Sequence, residues 1–183
     1  EILTEHGATG GNQHIFFSLI RPGDRVIAFS PSYQQFYSAP EALGAEVTVL
    51  RLRRENGYLP DLDELSQAAA RGVRMICLNN PNNPTGTLIP SDMLKDIVTI
   101  ARQSGAYLFC DEVYSGVSID GARSLSVCDL YEKGIATGSM SKALSLAGLR
   151  LGWLGTYGGQ ALAEVGGVRD YEVVRCGLFD EEM

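Results

Sequence analysis

The chain has 183 residues, 45% of them apolar, which is about one domain with enough hydrophobic material for a sizeable core. A net charge of −7 argues against nucleic acid or an anionic membrane as a partner, since either needs clustered Lys and Arg. No apolar run reaches the length of a membrane span, and no basic-then-apolar leader opens the chain.

Short β-branched or apolar runs alternate with helix-like segments along the chain. The predicted strands are Ile2–Thr4, Arg25–Phe29, Glu46–Leu52, Arg74–Leu78, Tyr107–Cys110, Gly134–Thr137 and Leu151–Gly155. Most are apolar throughout rather than alternating, which suits a sheet covered on both faces. After the first strand, "HGATGGN" reads as a glycine-rich turn leading into an apolar helix pattern, Ile15–Ile20. Pro40 is expected to break or restart a helix in Gln35–Leu43. Asp61 and Glu64 are spaced as a capping box before a helix at Leu65–Ala70 that Gly72 stops. Ser91 is expected to cap Asp92–Gln103, which carries Leu94, Ile97, Val98 and Ala101 on one stripe and ends at Gly105. Repeated strand-then-helix units predict an α/β, three-layer, doubly wound and mainly parallel seven-stranded sheet, with ligands at the carboxyl ends of the strands.

Cys77, Cys110, Cys128 and Cys176 lie far apart with no CxxC pair, which fits reduced thiols in a cytoplasmic protein. The two histidines, His6 and His14, have no partner at metal-ligand spacing, so no metal site is expected.

The chemically capable residues follow the strands. After the second comes "SPSYQQFY" with Tyr33, after the fourth "NNPNNPTG" with Asn83, and after the fifth "DEVY" with Asp111 and Tyr114. The sixth leads into "GSMSKALSLAGLR", with Ser139, Ser141 and Lys142, and Arg150 at its end. Lys142 stands among small and apolar residues without nearby acids, so it is expected to be partly buried. Each piece taken singly has an ordinary structural explanation as a loop, a cap or a packing residue. "GATGGN" also has a rival reading as a dinucleotide turn, which wants glycine at Gln13 and an acid where "AFSPS" stands; it meets neither requirement. Taken together and in order, the pieces offer an anion cradle, an aromatic face, one carboxylate, an amide with a phenol, and an amine able to form an imine. Pyridoxal phosphate presents the groups that this set would recognise.

On "GAT", "RPGDRVIAFSPSY", "NNPNNPTG", "CDEVY", "GSMSK" and "GLRLGW", the chain resembles the fold-type I, aspartate-aminotransferase-like enzymes of class I/II, over residues 1–157. The resemblance implies the large domain of that fold and pyridoxal 5'-phosphate as cofactor. By the same resemblance, Lys142 would hold the cofactor as a Schiff base and later move the substrate's α-proton. Asp111 would pair with the pyridine nitrogen, Tyr114 and Asn83 would bond the ring's 3-oxygen, and Tyr33 would stack on the ring. Ala8 and Thr9, with Ser139, Ser141 and Arg150, would hold the phosphate.

The implied reaction moves an amino group between an amino acid and a 2-oxo acid, in a homodimer. Carbon–sulfur lyases, cyclising synthases and decarboxylases of the same fold share these residues, as can non-catalytic sensor domains. Members of the family carry an N-terminal arm and a small domain that this stretch lacks, so residues 158–183 are expected to begin the connection to the small domain.

Overall fold

The computed structural model describes residues 2–118, 121 and 124–157, and within them the alternating segments resolve into one sheet between two helical layers. The strands are β1 (Ile2–His6), β2 (Arg25–Ser30), β3 (Glu46–Arg51), β4 (Met75–Asn79), β5 (Tyr107–Asp111), β6 (Gly134–Ser139) and β7 (Leu151–Thr156). Their order across the sheet is β1-β7-β6-β5-β4-β2-β3. All neighbours from β3 to β6 are parallel, while β7 runs antiparallel to both β6 and β1. Residues 158–183, expected to start a connection to a second domain, lie outside the described residues, and so does Cys176.

The side-chain period of two divides the core between the faces. Val26, Ala28, Met75, Cys77, Phe109 and Ile135 point to one side, where helices α1 (Gly7–Leu19) and α2 (Gln35–Ala42) bury Ile15, Phe16, Leu19 and Phe36. Ile27, Phe29, Ile76, Leu78, Leu108 and Cys110 point to the other. There they meet Leu65 and Ala69 of α3 (Leu62–Ala69), the Leu94, Ile97, Val98 and Ala101 stripe of α4 (Ser91–Ser104), and Val127 of α5 (Val127–Leu130). Strands β4, β5 and β6 are buried along their whole length, which is why their sequences are apolar rather than alternating.

All seven predicted strands form, but six carry one or two further residues at the carboxyl end. The ladder pairs Asn79 with Asp111, Asp111 with Thr137, and Ser139 with Gly152. Backbone pairing is indifferent to side-chain polarity, so the sheet continues past the point where the apolar pattern stops.

Four local expectations are revised. The glycine-rich turn is itself helix: α1 begins at Gly7, whose φ of +69° is open to glycine at little cost. Pro40 sits buried inside α2 without breaking it; the helix simply ends two residues later. Ser91 is the first helical residue, and the extended Pro90 before it occupies the cap position without a side-chain bond. The Asp61–Glu64 box is half made. Asp61 accepts from the N–H groups of Asp63 and Glu64, but Glu64 turns to accept from Arg53 Nη2 at 2.6 Å instead of reaching back.

Candidate active site

Strand direction decides which residues can meet. Strand β1 is antiparallel to β7 and β7 to β6, so β1 runs with the parallel set and its carboxyl end lies at the same edge. The reversed β7 starts at that edge, which brings Arg150 beside the loops that follow β1, β2, β4, β5 and β6. All ten residues singled out by the sequence line one cavity of about 210 Å³ there: Ala8, Thr9, Tyr33, Asn83, Asp111, Tyr114, Ser139, Ser141, Lys142 and Arg150. A larger cleft of about 850 Å³ lies around Arg51, Arg53 and Arg54 near the ends of β2 and β3. It has neither a buried acid nor an amine, so the chemistry favours the smaller cavity.

Part of the cavity lining offers donors suited to an anion. Ala8 and Thr9 lie in the first turn of α1, where backbone N–H groups have no intrahelical acceptor. The hydroxyl of Ser139, which is buried, accepts the N–H of Ser141 at 3.3 Å. The Arg150 guanidinium lies over Gly7, where an added Cβ would stand 2.6 Å from Nη2. A Cβ added at Gly152 would likewise stand 2.5 Å from the Gly7 carbonyl carbon. Glycine at both places lets the start of β7 close on the start of α1.

The same cavity holds an acid. Asp111, the last residue of β5, is 4% exposed. Burial pushes its carboxyl above the usual carboxylate range, while the Asn12 amide, the Val113 N–H and the charge of Lys142 pull it back. Tyr33 stands 37% exposed at the cavity wall, edge-on to Phe36 at 5.8 Å. Asn83 is held by its N–H donating to Asn79 Oδ1 at 2.7 Å, and Asn79 Nδ2 donates to the Asp111 carbonyl at 3.0 Å. Lys142 Nζ lies 5.8 Å from the centroid of the Tyr114 ring.

Lys142 is exposed, not partly buried as expected. The segment after β6 runs along the open rim of the sheet, and among the described residues nothing packs over its outer side.

Sequence reasoning missed four residues of this region: Asn12, Gln35, Asn79 and Thr137. Asn79 lines the cavity itself. Asn12 and Thr137 are buried polar residues behind Asp111. The one signal available was Asn12 standing as a lone amide where an apolar helix face begins.

Glu112, beside Asp111, serves the opposite face. Its Oε1 accepts from Ser126 Oγ and the Val127 N–H, both at 3.1 Å, and burial pushes its carboxyl up to about 7. A carboxyl raised in this way binds more protons folded than unfolded. Its stabilising effect is therefore full at low pH and is lost as pH climbs from about 4.5 through about 7. The loss is on the order of 3 kcal/mol. Urea denaturation at pH 5 and pH 8 should show that fall in the wild type and a smaller one in Glu112→Gln; equal falls in both would refute the assignment.

Three comparisons bear on this geometry. The family model "Aminotransferase class I and II" matches residues 1–163. An LL-diaminopimelate aminotransferase of Syntrophobacter fumaroxidans is 34% identical over 156 residues, covering 84% of this chain and 40% of that protein. An aspartate aminotransferase of Pyrococcus horikoshii is 32% identical over 154 residues, 84% of this chain and 39% of that one. Among solved structures, a pyridoxal-phosphate-dependent aminotransferase from Streptococcus suis superposes with a TM-score of 0.88 at 45% identity, over 93% of this chain and 45% of its own. The chain thus spans less than half the length of the relatives it matches.

Proposed function

The chain belongs to the class I and II aminotransferase family, and on that premise we propose that it carries the cofactor-binding half of an enzyme that moves an amino group between an amino acid and a 2-oxo acid. Enzymes of this family depend on pyridoxal phosphate. When bound, that group supplies an aldehyde that captures amines and a protonated ring that withdraws electrons. The observation that supports this reading most is the lining of the 210 Å³ cavity, which brings together anion donors, a buried acid, a lysine and a tyrosine ring.

The donor set fits the cofactor. Ala8, Thr9, Ser139, Ser141 and Arg150 would hold the phosphate through N–H, hydroxyl and guanidinium groups. Tyr33 presents its ring for stacking. Asp111 would accept a hydrogen bond from the protonated ring nitrogen, and Asn83 and Tyr114 would donate to the ring oxygen. Lys142 would hold the cofactor through Nζ and would serve as the base for the substrate's α-proton. A homodimer and a cytoplasmic setting belong to the same reading. Exposed Leu144, Leu146, Leu149 and Leu151 along the site's rim support the first. The free thiols of Cys77, Cys110 and Cys128 support the second. Sedimentation of the cofactor-loaded chain should show a dimer; a clean loaded monomer would contradict it.

The chain has three lysines, Lys95, Lys133 and Lys142, which makes the test of function clean. Pyridoxal phosphate followed by borohydride should leave its mass on the peptide containing Lys142 and spare the other two. Lys95 pairs with Asp92, and Lys133 donates to the Gly105 carbonyl. Equal labelling of all three lysines, or none, would sink the reading.

A further inference from the structure

Asn12 has no part in the function as proposed, yet it is 0% exposed on a helix face otherwise formed by Ala8, Ile15, Phe16 and Leu19. A buried amide is costly unless its donors and acceptor are met. Here they are met by functional neighbours. Thr137 Oγ1 donates to Asn12 Oδ1 at 2.8 Å, and Asn12 Nδ2 donates to Asp111 Oδ2 at 3.0 Å and to Gln35 Oε1 at 3.1 Å. Gln35 Nε2 then donates to the Thr9 carbonyl at 3.2 Å.

The partners decide which way the amide faces. Turned over, its oxygen would confront two other oxygens, Asp111 Oδ2 and Gln35 Oε1. Asn12 therefore offers Asp111 a donor and nothing else, and a donor favours the charged carboxylate. The second oxygen, Oδ1, accepts the Val113 N–H at 3.0 Å. Both oxygens are thus anchored by protein groups, with their orientation set from behind.

Resting on the proposed function, we propose that Asn12 is a positioning residue: it holds Asp111 ionised and aimed into the cavity, and through Gln35 it ties that acid to the first turn of α1. One hydrogen-bonded chain then runs from Thr137 to Thr9, crossing from β6 through α1 to α2 with Asp111 attached at Asn12. A side chain serving only to fill space behind the sheet would have no effect on the protonation of Asp111, so the two roles separate experimentally.

The test is a carbon-13 NMR titration of the Asp111 carboxyl in the cofactor-free chain, wild type against Asn12→Leu and Asn12→Ala. Loss of a hydrogen bond to a charged group should tighten proton binding at Asp111 by about tenfold in Asn12→Leu. The shift should be smaller, about threefold, in Asn12→Ala, where water can replace the amide. With cofactor added, the pH profile of the visible absorbance should move in both variants. Should the leucine variant fail to fold, the alanine variant decides, since alanine suits a helix interior. An unmoved Asp111 midpoint in the folded variant overturns the proposal, whatever its melting temperature. That result alongside wild-type labelling at Lys142 would remove only the role of Asn12. A shifted midpoint without any labelling would leave the Asn12–Asp111 coupling intact and remove the cofactor reading.

Discussion

A Lys142→Ala variant should bind pyridoxal phosphate yet retain none of it covalently after borohydride, and amino-group transfer should fall by about 10⁴-fold, the upper end for a lost general base. The upper end is expected because on the present reading one amine both carries the cofactor and moves the proton. The phosphate cup, the Tyr33 ring and Asp111 all remain in this variant, so reversible binding should weaken without vanishing. A Lys142→Arg variant separates charge from reactivity. It keeps the cation that helps hold Asp111 ionised but has no amine to react, so it should match alanine in labelling. Labelling that persists in either variant at Lys95 or Lys133 would remove Lys142 from its proposed role.

Replacing Asp111 with asparagine should cut transfer by about 10²–10³-fold, the loss typical of one preorganised electrostatic partner. The swap keeps the volume but not the charge. Its single oxygen can satisfy either the Val113 N–H or the Asn12 amide, leaving one donor unpaired at about 1–3 kcal/mol. Against that loss stands a gain, because burial raises the Asp111 carboxyl and its ionised form weighs on the folded state. A raised carboxyl contributes stability at low pH and loses it as pH rises through its folded value. The variant should therefore melt close to the wild type at neutral pH and lack that part of the pH dependence. Unchanged transfer with a collapsed melting temperature would make Asp111 a structural residue instead.

Much of this was legible because it is local. The seven strands, the α4 stripe and the order of site motifs after strands are written in short windows of polarity and period. The misreadings were local contests that neighbours decided. Gly7 and its following glycines read as a turn, but they open helix α1, with the start of β7 close against Gly7. Glu64 read as the partner of its own cap, but Arg53 lies within reach and offers an opposite charge. Lys142 read as partly buried from its small apolar neighbours in sequence, although those neighbours form a rim and not a core.

Sequence alone carried the identity of ten cavity-lining residues and the strand-by-strand order in which they occur, since each motif sits next to a pattern that announces a strand end. Tertiary structure decided their direction and their support. Only the antiparallel insertion of β7 between β1 and β6 brings Arg150 to the edge where the other strands finish. Asn12 lies 99 residues from Asp111 and 125 from Thr137, so no window of sequence holds both ends of those hydrogen bonds. Whether a lone amide on an apolar helix is a costly defect or a support for an acid depends on what faces it across the sheet, and that is settled only when the strands take their places.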